Sequence, residues 1–455
     1  MPVHPDILVN NPKERQPIVQ ILNAALAAVN PHTAVMAALH RDGDRLILGK
    51  NEFDLAQFDR VIVIGAGKAG APMAQAVEKI LGERISAGLV VVKTGHGGPT
   101  RTVEIAEATH PVPDQAGADA GARILALAEG AGERDLVIAL ISGGGSALLT
   151  APAPPLSLGD LQGAGKLLLG SGATIQEFNC VRKHLSAVKG GQLARAAAPA
   201  TVITLVLSDV VGSPLDAIAS GPTVADPTTW ADAWAVVTRY NLADQLPLAV
   251  VDRLRAGLAG DLADTPKPGD PIFARTVTQI VADNRVAALA ACEAARGLGF
   301  NTLLLSTFVE GEAAEVAKLA VALGREVQAS GNPVVAPACL VLGGETTVTL
   351  GQNPGLGGRN QELALAAALG LEGTAGITVV SLATDGSDGP TESAGGLVDG
   401  GTVQRSRNQG LDAPKSLRGH DAYPFLKKTG DLLMTGPTQT NVNDLIFVFV
   451  TPPQS

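Results

Sequence analysis

Cysteine is scarce in this 455-residue sequence: Cys180, Cys292 and Cys339 are the only three, and no two form a C-x-x-C pair. That excludes a zinc knuckle and a disulfide framework, and the odd count suits a reducing compartment. Aromatic residues make up only 3%, so a core has to be built from Ala, Val, Leu and Ile. Positive charge is also in deficit. Against 44 Asp and Glu stand 34 Lys and Arg, a net charge of −10, the opposite of the basic face of a nucleic-acid binder. No apolar run approaches the ~18 residues of a membrane span. The stretch MPVHPDILVNNPKERQPIV has no basic segment followed by an apolar one, so no signal peptide is expected. These absences predict a cytoplasmic protein with neither a nucleic-acid nor a membrane partner. They leave oligomeric state open, a homo-oligomer included.

What the chain has in quantity is small and aliphatic. Hydrophobic residues make up 46%, and glycines number 53. The glycines cluster where apolar runs end, which points to functional loops on a rigid scaffold. Ile18, Ile21, Leu22, Ala25, Leu26 and Val29 predict an amphipathic helix that Pro31 ends. Residues 61–64, 89–92, 136–141 and 202–207 then read as strands of continuous apolar character, as in parallel sheets buried on both faces. Ala-rich helical stretches alternate with them, which predicts an α/β sheet covered by helices. The segment DLADTPKPGDPIFA, residues 261–274, is the expected linker. Beyond it TVTQIVA, NTLLLS, ITVVSLA and DLIFVFV read as strands, and NRVAALAACEAARGLG and RNQELALAAALGL as helices. CLVLGGETTVTLG reads as paired strands turning at Gly343–Gly344. The expectation is two domains, residues 1–262 with a mainly parallel sheet and residues 263–455 with a mixed one.

The loops after the strands hold the chemistry. VIVIGAGKAG, residues 61–70, spaces Gly65, Gly67 and Gly70 as G-x-G-x-x-G, the dinucleotide fingerprint. A dinucleotide site wants a carboxylate about 20 residues on, at the end of the next strand. Lys93 stands there instead, which would suit only a 2′-phosphate. Lys68, at a helix start beside exposed N–H groups, points to an anion site; glycines needed only for tight packing are the alternative. ISGGGSALL brings Ser142, Gly143, Gly144, Gly145 and Ser146 into one curl, either a phosphate nest or a structural turn. It lacks the closing glycine of a nucleophile elbow. In TIQEFNCVRKHLSAVKGGQLARA, Thr174 and Glu177 form a capping box. Arg182 and Lys189, seven apart, would share a helix face, either for an anion or for solvent. Asp209 follows a buried strand and could hold Mg²⁺, accept a proton or cap a turn. Gly357, Gly358, Arg359 and Asn360 open a helix, and an arginine among glycines has no evident packing purpose; its fork suits phosphate or carboxylate. Asp385 and Asp388, in TDGSDG, could hold Mg²⁺ or cap a tight turn. His110, in HPVPD, is a base, a substrate contact or a structural histidine.

Walker A, H-R-D and D-F-G patterns are absent. The residues alone therefore reach a phosphate-handling α/β enzyme outside the common NTPase classes. Taken in order, VIVIGAGKA, HPVPD, LISGGGSALL, VRKHLSAVKGGQLA, SDVVGSPLDAIASGPTVAD, GGETTVTL, GLGGRNQELALAAA and TDGSDGPTESAGG closely resemble the class II glycerate kinases, the glycerate 2-kinase family with a C-terminal MOFRL domain. The resemblance covers nearly the whole chain. It implies a Rossmann-like αβα N-terminal domain, a C-terminal α/β domain and an active site in the cleft between them. It also implies ATP-dependent phosphorylation of D-glycerate at its 2-hydroxyl, giving 2-phosphoglycerate and ADP with Mg²⁺ or another divalent cation. Lys68 and Arg359 fall on the family's active-site lysine and arginine. Asp209 or Asp385 would then hold the metal or orient the hydroxyl. The competing enzyme reading is an NAD(P)H-dependent hydroxypyruvate reductase.

Overall fold

Tight turns around residue 45 produce a first, small sheet. β1 (Leu39–Asp42), β2 (Arg45–Leu48) and β3 (Asn51–Asp54) pair antiparallel. The turns pass through Gly43 and Gly49, whose φ values of 59° and 58° are left-handed. Four-residue strands carry too little periodicity to be read from sequence, and the reading above contains none here. The computed structural model describes residues 3, 7 and 9–452; the outermost residues of both expected domains, and part of the N-terminal stretch read for a signal peptide, lie outside them. Among the described residues no single helix is long and apolar enough to cross a membrane.

The four apolar runs then become β4 (Arg60–Ala66), β5 (Ile85–Lys93), β7 (Asp135–Ile141) and β8 (Thr201–Leu207), with β6 (Glu104–Ala108) between them in sequence. Together with β9 (Thr276–Ala282) they form one sheet in the order β6-β5-β4-β7-β8-β9, and all neighbours from β6 to β8 are parallel. Alternation decides which face each side chain meets. Ile62, Ile64, Leu89, Val91, Val137 and Ala139 pack against the helices Gln115–Glu129 and Gln192–Ala197. The helix Gly70–Leu81 meets the other face, where a Cβ on Gly70 would stand 2.6 Å from Val90 Cγ1. The order reverses between β4 and β7, and ligands of open α/β sheets bind beyond the strand ends at such a point.

The chain divides into compact units at other places than residues 262 and 263. One unit is Pro31–Val281; the other joins Met1–Asn30 to Ala282–Ser455. The proline-rich segment is no free linker, because its polar groups are bound into the first unit. Thr265 donates to the buried Asp226 (2.9 Å), Asp264 lies 3.0 Å from His184 Nε2, and just past the segment Arg275 donates to Thr201 (3.1 Å) and to the Glu133 carbonyl (3.0 Å). TVTQIVA accordingly forms β9 of the first sheet and not a strand of the second.

The second unit has a mixed sheet built from β10 (Asn301–Glu312), β11 (Ala338–Thr347), β12 (Ile377–Ala383), β13 (Gly395–Asp399), β14 (Leu432–Leu433) and β15 (Asp444–Val450). Its order is β10-β11-β15-β12-β13-β14; β10 and β11 are parallel and the other pairs antiparallel. The turn expected at Gly343–Gly344 is instead continuous β11. A Cβ on Gly343 would overlap the Asn284 amide, and one on Gly344 (φ 150°) would stand 2.1 Å from the Val309 carbonyl oxygen. These glycines allow close approach and make no bend.

The helix Pro12–Ala28 packs beside the helix Asn284–Gly297 of this unit. Buried charge fixes it there. Arg15, 1% exposed, donates to Asp431 (2.6 Å) and Asp399 (3.1 Å), and Arg405 donates to the same two carboxylates. Removing one member strands a buried charge, so Arg15→Ala is expected to cost about 3–5 kcal/mol. Urea unfolding of the full chain measures it; an unchanged midpoint would contradict the reading.

Candidate active site

The loop after β4 and the loop after β7 are tied together by the backbone donors that a dinucleotide would need. Gly67 N–H donates to the Val91 carbonyl (3.0 Å), Lys68 N–H to the Gly143 carbonyl (2.9 Å) and Ala69 N–H to Ser142 Oγ (3.1 Å). The three glycines of the fingerprint serve approach: Cβ atoms on Gly65 and Gly67 would meet the Leu140 carbonyl oxygen at 2.3 Å and Ser142 Oγ at 2.2 Å. β5 ends in Lys93, with no ribose-binding carboxylate in that position. The sequence fingerprint is therefore a packing device.

Packing frees the second loop for ligand. The N–H groups of Gly143, Gly144 and Ser146 have no acceptor among the described residues. Gly144 has φ 81°, and a Cβ there would lie 3.1 Å from the His110 ring and 3.4 Å from Lys68 Cγ. The Lys68 ammonium has no hydrogen-bonded acceptor or ion-pair partner among the described residues. Asp209 follows β8, and its Oδ2 would stand 2.2 Å from a Cβ on Gly143. Burial raises its carboxyl above the ordinary range, with Lys68 pulling the other way. Burial, then Lys68, Lys93 and His96, lowers His110 to about 4, so this imidazole is neutral at physiological pH. Ser146 Oγ lies 2.9 Å from Ser220 Oγ, which donates to Asn179. That serine belongs to a hydroxyl network and has no histidine partner among the described residues.

Beside this loop is a cavity of about 440 Å³, inside the same unit. Arg182 and Lys189 both line it, though not from one helix face as expected. The helix is Ile175–His184, and Lys189 reaches the cavity from the turn beyond.

In the second unit a cavity of about 610 Å³ is lined by Gly357, Gly358, Arg359, Glu310, Glu345, Glu362 and His420, among others. Arg359 does have a packing purpose: its guanidinium pairs with Asp444 (2.5 and 3.1 Å) and with Glu345 (2.9 Å). Burial opposes its charge, but Asp444 and then Glu345 outweigh burial and hold its pKa above the ordinary value. Asp388 does not stand open to a metal. It is 2% exposed and accepts from the N–H groups of Asn360 (3.1 Å) and Gln361 (2.8 Å), capping the helix Arg359–Leu371. Burial pushes it up to about 6. Asn360 is likewise spent, bonded to Asp388 and accepting from Ser381 (2.6 Å), so it presents nothing to a substrate. Asp385 uses Oδ1 on Ser387 N–H (3.0 Å), while its Oδ2 has no donor among the described residues. Among those residues no three of His, Cys, Asp and Glu converge as a ready metal-ligand group.

Comparison with known proteins gives this arrangement its place. Residues 18–255 match the family described as a domain of unknown function (DUF4147), and residues 338–444 match the MOFRL family. A glycerate 2-kinase of Pyrococcus horikoshii is 41% identical over 95% of this chain and 96% of its own length. A D-glycerate 2-kinase of Thermotoga maritima is 41% identical over 94% and 96%. This chain belongs to the glycerate 2-kinase family. The crystal structure of a Thermotoga maritima glycerate kinase shares its fold with a TM-score of 0.87, at 39% identity, covering 97% of this chain and all of the other. An Agrobacterium vitis protein provisionally named a hydroxypyruvate reductase is 42% identical over 97% of this chain and 95% of its own.

Sequence reasoning missed the residues that distinguish Lys68 from Arg359. Asp444 and Glu345 restrain Arg359, whereas Lys68 is left free. Asp444 opens a buried strand, and an acidic residue at that position is the one signal that pointed to it. The imidazole of His96, 3.2 Å from the Lys68 carbonyl oxygen, was also overlooked.

Proposed function

We propose that the chain transfers the γ-phosphoryl group of ATP to the 2-hydroxyl of D-glycerate, as a cytoplasmic enzyme. The observation that carries this is the group at the switch point: an ammonium and three N–H groups without acceptors among the described residues, a buried carboxylate held only by its own backbone N–H, and a neutral imidazole, all on adjoining loops. Phosphoryl transfer needs positioning and charge stabilisation more than covalent chemistry. Asp209 accepts the proton of the attacking hydroxyl. Lys68 and the N–H groups of Gly143, Gly144 and Ser146 neutralise charge that builds on the transferring oxygens. His110, being neutral, hydrogen-bonds substrate without competing for anions. Arg359 serves the acceptor's carboxylate through Nη1, the edge it shares with the half-exposed Glu345.

One Asp385 oxygen has no donor among the described residues, which fits a divalent cation that takes its remaining ligands from substrate phosphates and water; both Asp444 oxygens are held by Arg359. Asp385 would hold Mg²⁺, which when bound supplies charge neutralisation at phosphate oxygens. The reductase reading is disfavoured because the fingerprint's N–H groups are consumed internally. Incubation with ATP, Mg²⁺ and D-glycerate is expected to release ADP and a product that enolase consumes directly. Oxidation of NADH or NADPH by hydroxypyruvate, with no ADP formed, would overturn the proposal.

A further inference from the structure

The 440 Å³ cavity has a composition at odds with the chain around it. In a protein of net charge −10, its lining includes Arg182, Lys189 and Lys166 and no Asp or Glu. Lys166 is exposed at the rim. Lys189 is 4% exposed, and among the described residues its ammonium donates only to the Leu149 carbonyl (2.6 Å). The Arg182 guanidinium lies 3.9 Å over the Phe178 ring, with no carboxylate or carbonyl partner among the described residues. Two cations withdrawn from water side by side repel each other, and each carries an unrecovered desolvation cost. Consistent with that, burial lowers Arg182 to about 10, and burial with Arg182 nearby pushes Lys189 well below its ordinary value. An anion of two or more charges relieves both.

The rest of the lining says what carries that anion. Leu161, Ala164, Leu168 and Leu169, from the helix Leu158–Gly170, face the cavity with Phe178 and Pro113. A mostly apolar space of this volume suits a drug-sized ligand with a few oriented polar groups. A hydroxy acid of seven heavy atoms would leave most of it empty. Ser146 is also in the wall, so the cationic end adjoins the loop that carries Gly144, against which Lys68 lies. The cavity around Arg359, by contrast, presents Glu310, Glu345 and Glu362 and would repel a polyphosphate.

We infer that this cavity is the nucleoside triphosphate subsite: the base lies between the Leu158–Gly170 helix and the proline loop, and the phosphates lie on Arg182, Lys189 and Ser146, directed toward Lys68. The inference rests on the kinase reading above. Two variants test it. Arg182→Gln removes the charge and keeps the size. Gly165→Leu keeps every charge, improves helix propensity and fills the base end, since a Cβ on Gly165 lies 3.9 Å from Phe178 Cζ. Calorimetric titration with ADP and steady-state kinetics in ATP and D-glycerate are the readouts. Both variants are expected to weaken ADP binding and raise KM for ATP by roughly tenfold or more, with KM for D-glycerate within about twofold of wild type and thermal midpoints preserved. A raised KM for D-glycerate with ADP affinity unchanged would overturn the assignment and give the cavity to the acceptor. Unchanged ADP affinity in both folded variants would overturn it as well. Wild-type protein that binds ADP through Arg182 yet makes no phosphoglycerate would sink the kinase reading and leave the subsite standing. Wild-type protein that neither binds ADP nor turns over would sink both.

Discussion

Lys68→Ala is expected to lower kcat by at least about 10²–10³ while circular dichroism and the thermal midpoint stay at wild-type values. The fold should tolerate the change because the lysine's side chain makes no hydrogen bond or ion pair among the described residues. Its backbone N–H, which ties the two loops, is kept by any residue but proline. Lys68→Arg should not restore the rate. An ammonium is a compact point charge on a flexible stem, and a planar fork beside Gly144 and His110 needs different room. Near-normal turnover in a folded Lys68→Ala would remove the lysine from the reaction.

Asp209→Asn is expected to lose about 10²–10⁴ in kcat, and the pH profile carries the sharper signature. A base must be deprotonated to act. Burial raises the Asp209 pKa, so wild-type activity should fall on the acid side at a higher pH than an ordinary carboxylate would give, and Lys68 limits that rise. The residual activity of Lys68→Ala, having lost the opposing charge, should therefore show its acid limb displaced further upward. An acid limb that stays put in Lys68→Ala, or that survives in Asp209→Asn, would assign the titration to another group.

Local pattern carried much of the molecule. Continuous apolar runs located β4, β5, β7 and β8, and the capping box at Thr174 and Glu177 forms as read. RNQELALAAALGL is helical from Arg359 to Leu371, as its pattern required. Lys68 was legible as an intruder in a glycine loop. What was not legible depends on segments far apart in sequence. Arg359 looked purposeless because its partner Asp444 lies 85 residues on. Gly343 and Gly344 looked like a turn because Asn284 and Val309, which demand the missing side chains, come from other elements. Asp388 looked like a metal ligand because the sequence cannot say which helix end a carboxylate will meet. The proline-rich stretch had a linker's composition, yet its hydrogen bonds reach back to Asp226, His184 and Thr228.

Order of synthesis gives the Arg15 cluster a further meaning. The helix Pro12–Ala28 is synthesised well before the carboxylates that Arg15 meets, which belong to residues 399 and 431. β15, which joins β11 to β12 at the middle of the second sheet, is completed only at residue 450. The unit Pro31–Val281 has all its strands long before then and can fold during translation, while the helix Pro12–Ala28 waits with its arginine unpaired. A fragment beginning at Ala282 therefore leaves its two buried acids with Arg405 as their one remaining arginine of this cluster.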